Sequence, residues 1–353
     1  MVLPMMTHAR LAAAATILTL FLSALAGPVP VRADTAASDA VCPLDRPVVL
    51  AGLDWDSARF HNAVAARILQ DAYGCDTTAI AGATIPLTNG LARGDVDIMM
   101  EVWRNSLAEA WVKAAETGRV RDIGPNFPDA VQGWYVPRYV VEGPDAPAPD
   151  LKSVQDLANY TEVFRDREEP GKGRFYNCLA GWACEIVNTR KLEAYGLAGL
   201  YTNFKPGTGE ALTAAVIAAT RRKKPILFYH WTPSWLLGAI DAVKLEEPPF
   251  EPEAFDALRR PDAPLPKGVA YPVASVAIGV NSDFADAAPE LISMLTAYET
   301  TSSLVAGALL AMEQDKLTAE EAADAFLKAN APLWQGWMPA PNAARLSAAL
   351  GLN

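Results

Sequence analysis

The chain has 353 residues, 51 % of them hydrophobic, and a formal net charge of -11. That length exceeds what one hydrophobic core usually supports and points to two lobes. The acids are spread along the chain, so no basic face for nucleic acid is available, and net charge says nothing against a small cationic ligand.

The first ten residues carry one arginine and no acid, and the apolar run Leu11 to Ala26 follows. This run is shorter than the roughly twenty residues of a spanning helix, and small residues suited to cleavage follow at Ala24-Leu25-Ala26 and Val31-Arg32-Ala33. The expectation is a signal peptide over 1–33 and a periplasmic mature protein. Export to an oxidising compartment makes the even count of four cysteines meaningful. Cys42, Cys75, Cys178 and Cys184 allow three connectivities, and short loop closure favours Cys178 with Cys184, leaving Cys42 with Cys75.

Val48 to Leu53 reads as a buried strand. A helix follows, capped by Asp56 or Ser57, with Phe60, Val64, Ile68 and Leu69 on its inner face and Gly74 at its end. The next strand, Val96 to Val102, is hydrophobic between acids; strand, helix, strand in this order implies a right-handed crossover and a parallel sheet. Another strand-like run spans Gln132 to Val141, and the proline-rich Pro144 to Pro149 marks passage into a second lobe. That lobe holds the Cys178–Cys184 loop, helices near 183–195 and 210–222, and a strand over Ile226–Tyr229. Pro248 to Pro272 reads as irregular surface. Val273 to Val280 returns to the first lobe, where a capping box at Thr318 and Glu321 opens one of the last helices. The lobes are therefore expected at 42–134 with 273–353 and at 135–272, and two crossings make a hinge and a cleft.

Ligands of open parallel sheets sit beyond the carboxyl ends of strands, and there the sequence places Trp55, Trp103 and Trp231, with Trp182 inside the cysteine loop. A trimethylammonium group explains why a site would want them. It carries a full charge but no N–H, so hydrogen bonds cannot replace its hydration, whereas the negative face of an indole can.

The segments Asn177-Cys178-Leu179-Ala180-Gly181-Trp182-Ala183-Cys184-Glu185, Phe228-Tyr229-His230-Trp231-Thr232-Pro233-Ser234-Trp235 and Met100-Glu101-Val102-Trp103 resemble the glycine betaine/proline-betaine-binding proteins of ABC importers. The likeness covers most of the chain after the leader. It implies an α/β class II periplasmic-binding-protein fold of two lobes with two crossover segments, a cation cage of Trp103, Trp182 and Trp231, and a Cys178–Cys184 bridge. It also implies a membrane permease with its ATPase as partner, no cofactor and a monomeric state. Trp55, followed by Asp56, resembles the extra cage wall of choline-type binders. If Ala183 and Cys184 open a helix, their free amide groups can stabilise a ligand carboxylate. Ser234 stands where some members place histidine or tyrosine, which keeps choline, carnitine, trimethylamine oxide and dimethylsulfoniopropionate open beside glycine betaine. Gln132, Trp134 and Tyr135 are candidate further contacts.

Trp111, Trp334 and Trp337 read as packing residues, His61 as a surface or capping residue, and His230 as turned away from Trp231. No Gly-x-Ser-x-Gly, His-Glu-x-x-His or glycine-rich phosphate loop occurs, so an exported enzyme is the weaker reading. A sensory binding protein would carry the same cage.

Overall fold

The computed structural model describes residues 41–106 and 109–352; the expected signal peptide over 1–33 lies outside them. Nine strands are described: β1 (Val48–Leu53), β2 (Thr77–Gly82), β3 (Ile98–Trp103), β4 (Val120–Pro137), β5 (Gly173–Tyr176), β6 (Tyr201–Phe204), β7 (Leu227–Thr232), β8 (Ala242–Lys244) and β9 (Ala274–Asn281). They follow the order β2-β1-β3-β9-β4-β7-β5-β6, with β8 beside β4. β1 lies parallel to β2 and β3, and β5 lies parallel to β6 and β7. β9 is antiparallel to both β3 and β4.

β4 joins the two halves of this sheet. Its residues up to Ala130 pair with β9, and from Val131 they pair with β7. β9 brings the chain back, its first residue Ala274 opposite Ala130. Two strands thus pass between the lobes at one place, which is what a hinge requires.

The helix Asp56–Tyr73 forms as its apolar spacing dictates. Phe60, Val64, Ile68 and Leu69 are all buried, and Gly74, at φ 67°, closes it in the left-handed conformation that costs glycine no Cβ clash. Neither Asp56 nor Ser57 caps it. Trp55 occupies the cap position in extended conformation without a side-chain capping bond, leaving Asp56 in the first turn. His61 is also not at the surface. It is fully buried, its Nδ1 2.7 Å from the Tyr298 hydroxyl, and burial pushes it down to about 3, so the ring is neutral. The helix packs between the sheet and the C-terminal helices and leaves the stripe Arg59, Asn62, Ala66 and Gln70 toward solvent.

The stretch Pro248 to Pro272 is not wholly irregular. It contains the helix Pro252–Leu258, which begins with proline where the missing N–H has no helical partner in any case, and it buries Phe255, Leu258, Val269 and Tyr271. The capping box of Thr318 and Glu321 is present, with both reciprocal bonds made. Among the described residues no helix is long and apolar enough to cross a membrane.

Cys42 is bonded to Cys75, 33 residues further on, and Cys178 to Cys184. A loop of the first size removes enough freedom from the unfolded chain to stabilise by about 2–4 kcal/mol. Replacing Cys42 and Cys75 by alanine should lower the unfolding free energy obtained from urea titration by that much. Affinity should be unchanged, because neither residue lines the cleft described below.

Candidate solute-binding site

Four tryptophans meet where the two lobes face each other. Trp55 follows β1, Trp103 ends β3, Trp182 caps the helix Ala183–Ala194, and Trp231 lies near the end of β7. Trp182 is central to the array. Its ring lies 5.1 Å from that of Trp55 and 5.5 Å from that of Trp231, edge-on to both at 70° and 77°. Edge-to-face packing lets neighbouring rings touch while leaving indole faces free for a third group.

Gly181 makes the turn that presents Trp182. Its φ of 90° is unfavourable for other residues, and an added Cβ would come within 3.0 Å of Ala83 in the opposite lobe. The amide groups of Ala183 and Cys184 open the helix just beyond it and have no partner within the helix.

These groups surround a cleft with about 540 Å³ of empty space, part of it open to solvent. Trp55, Trp103, Met99 and Val102 wall it from one lobe, Trp182, Ala183, Cys184 and Trp231 from the other, and Gln132 supplies a polar point. Gln132 is fixed by the Tyr229 hydroxyl, which donates to its Oε1 at 2.6 Å.

Each cage indole except Trp231 donates its N–H to a carboxylate. Trp55 and Trp103 both donate to Oε2 of Glu101, at 2.8 and 3.1 Å. Trp182 donates to Asp54 at 2.7 Å across the cleft, a bond between lobes. Two more contacts close the same rim: Arg59 pairs with Glu210, and Trp235 donates to Asp56 at 3.1 Å.

Several sequence-based expectations are corrected here. Trp134 does not reach the cleft: it lies on the same face of β4 as Gln132 but deeper in the second lobe, fully buried. It packs 4.2 Å from Phe175 and donates to Asn188 at 2.8 Å. Tyr135 projects from the opposite face of β4, as strand alternation requires, and packs with Phe228. Asp56 and Ser234 line a neighbouring recess instead of the indole cleft, sharing Trp55 and Trp231 with it. There Ser234 meets His230 Nε2 at 2.7 Å, and the His230 ring sits only 4.5 Å from that of Trp231. Trp334 and Trp337, by contrast, are core residues as expected, the Trp334 indole N–H bonded to the Leu327 carbonyl.

The sequence reading missed Tyr229 and Trp111, which both line the cleft. Tyr229 could have been found, because it lies two residues before Trp231 and hence on the same strand face. Trp111 could not, since nothing local shows that its ring packs over Gly279 and still reaches the cavity.

Two α/β lobes joined by paired strands around an aromatic cleft are the architecture of solute-binding proteins of the periplasmic type. In fold the chain is similar to the glycine betaine, L-proline ABC transporter binding protein (ProX) of Borrelia burgdorferi, with a TM-score of 0.67 and 18 % identity over 85 % of this chain and 100 % of that one. It is similarly related to lactococcal OpuAC in its closed, glycine betaine-liganded conformation, with a TM-score of 0.66 and 21 % identity over 84 % and 100 % of the two chains. The chain belongs to the OpuAC family, the substrate-binding domain of ABC-type glycine betaine transport systems, whose profile matches residues 46–329. Among its relatives is the trimethylamine N-oxide-binding protein of Pelagibacter ubique (strain HTCC1062), 25 % identical over 242 residues, or 68 % of this chain and 74 % of that protein. Another is the glycine betaine-binding periplasmic protein OusX of Dickeya dadantii (strain 3937), 25 % identical over 267 residues, or 72 % and 77 % of the two chains.

Proposed function

We propose that this chain is the periplasmic solute-capturing subunit of an ABC importer, and that its solute carries a methylated ammonium head, glycine betaine foremost. The observation that carries this reading is the convergence of four indoles from both lobes on one cleft. Each desolvated cation-π contact contributes about 2 kcal/mol, so several, with methyl burial, suffice for micromolar binding after the cost of association. The amides of Ala183 and Cys184, on the same wall as Trp182 and at a helix N-terminus, suit the carboxylate of a betaine.

Capture proceeds by closure about the β4 and β9 crossings, with the lobes taken as 42–134 plus 273–353 and as 135–272. The solute first rests on one lobe; Trp182 with Asp54, Arg59 with Glu210 and Trp235 with Asp56 then hold the rim shut. In this reading the monomer, freed of its signal peptide, delivers its cargo to a permease and its ATPase and performs no chemistry of its own.

A thermal-shift panel of glycine betaine, proline betaine, choline, carnitine, trimethylamine oxide and dimethylsulfoniopropionate tests the solute. A ligand at about a hundred times its Kd stabilises by about 2.7 kcal/mol, an upward shift of several degrees. Glycine betaine should shift the transition most and quench tryptophan fluorescence. A larger shift with choline, which has no carboxylate, would remove the role given to Ala183 and Cys184. Silence across the panel would remove the cage reading.

A further inference from the structure

Glu101 is 1 % exposed, in the middle of the sheet on β3. A single oxygen of its carboxylate accepts the indole N–H of both Trp55 and Trp103. The carboxylate itself is not on the cavity wall, whereas both indoles are.

Among the described residues no lysine, arginine or histidine forms an ion pair with Glu101. β1 and β9, its neighbours in the sheet, contain no titratable residue. From the helix Asp56–Tyr73 the Ser57 hydroxyl is a polar neighbour, but neither it nor the second oxygen of Glu101 makes a hydrogen bond, and His61 nearby is neutral. Tyr298, bonded to His61, is held in its protonated form by burial and by the charge of Glu101. The surrounding charges are committed elsewhere: Arg104 to Asp122 at 2.6 Å, Arg59 to Asp56 and Glu210, and Asp54 to the Trp182 indole. A buried carboxylate without a cation nearby is costly, and such groups are usually paired.

We propose that Glu101 is a positioning and specificity residue of the cage: from behind Trp55 and Trp103 it fixes both rings and serves as counter-charge to the methylated cation bound on their far side. This inference rests on the cage reading above. An N–H donated to a carboxylate enriches its indole, making the ring face more attractive to a cation. Because the rings stand between Glu101 and the cleft, the charge acts without offering an acceptor to a solute N–H. A primary ammonium would therefore lose its hydration with little in return, while a methylated one, having no N–H, loses nothing more.

The arrangement also ties binding to protons. Burial pushes Glu101 up to about 7 against the opposing indole bonds from Trp55 and Trp103, so near neutrality the free protein is a mixture of acid and carboxylate. A bound cation favours the carboxylate, so binding releases a proton and tightens as pH rises toward and past that value.

The test is isothermal titration of the whole protein with glycine betaine, whose own carboxylate stays ionised throughout, between about pH 5.5 and about pH 8, in two buffers of different ionisation enthalpy. The wild type should bind about tenfold more tightly at the upper pH and release protons at the lower. Glu101→Gln keeps an acceptor for the indoles but no charge. It should unfold no earlier than wild type, bind at least about fivefold more weakly at the upper pH, and show no pH slope. Wild-type binding that is flat in pH, or a Glu101→Gln slope equal to wild type, would overturn the role of Glu101 and leave the cage standing. Absence of wild-type binding at every pH would remove the cage and this inference together.

Discussion

Trp182→Ala should weaken binding of the solute by about 1–3 kcal/mol, which is about 5- to 150-fold in Kd, and Trp231→Ala by a similar amount. Trp182 is expected at the upper end of that range because it touches both Trp55 and Trp231 and also donates across the cleft to Asp54. Its loss removes one indole face, frees the edges of two others and breaks a bond between lobes. Trp182→Phe separates these effects: it keeps an aromatic face but no N–H, and should recover part of the loss. Trp334→Ala is the control, since that ring is fully buried away from the cleft. It should cost about 3–5 kcal/mol of stability, as large aromatic truncations in cores do, without changing the Kd of the folded protein. Titration calorimetry on the variants decides the matter. If Trp334→Ala weakens binding as much as Trp182→Ala, the indoles of the cleft have no special role.

The parts of this site that were legible in sequence are those set by strand ends. β1, β3 and β7 are short apolar runs with clear limits, and a tryptophan at or just past the end of each must lie at the carboxyl edge of the sheet. Trp182 was legible for a different reason, its place between two cysteines at the start of a helix. What escaped was set by pairing over long range. β4 changes partner between Ala130 and Val131, a switch with no local signature, and only that switch explains why Gln132 faces the cleft while Trp134 sinks toward Phe175. β2 was passed over because it is an edge strand whose middle residues are all exposed, so its residues show no alternation. His61 looked like a surface residue because its partner, Tyr298, lies 237 positions away. Glu101 read as one of the acids punctuating an apolar strand; its burial follows from β1 and β9 lying on either side and from two indoles closing over it.

Glu247→Ala should be among the most destabilising single changes in the chain, by about 3–5 kcal/mol, or a fall of about 10 °C in Tm. The helix Ala183–Ala194 opens at the cleft, and on its far turn Lys191 is fully buried and ion-paired with Glu247, itself almost fully buried. Burial pulls the Lys191 ammonium below its ordinary range, while Glu247 holds it up; the Tyr271 ring lies 4.1 Å from its nitrogen and Tyr195 donates to Glu247 at 2.9 Å. Removing either charged partner leaves the other buried without compensation, which costs more than the pair ever contributed. Lys191→Met should therefore be about as harmful as Glu247→Ala, whereas the double variant Lys191→Met with Glu247→Leu should recover most of the loss. Thermal unfolding of the two single variants and the double gives the coupling directly. Additive losses would mean that the two groups act independently. A recovered double variant should bind the solute normally, because the same pair anchors the helix without lining the cleft.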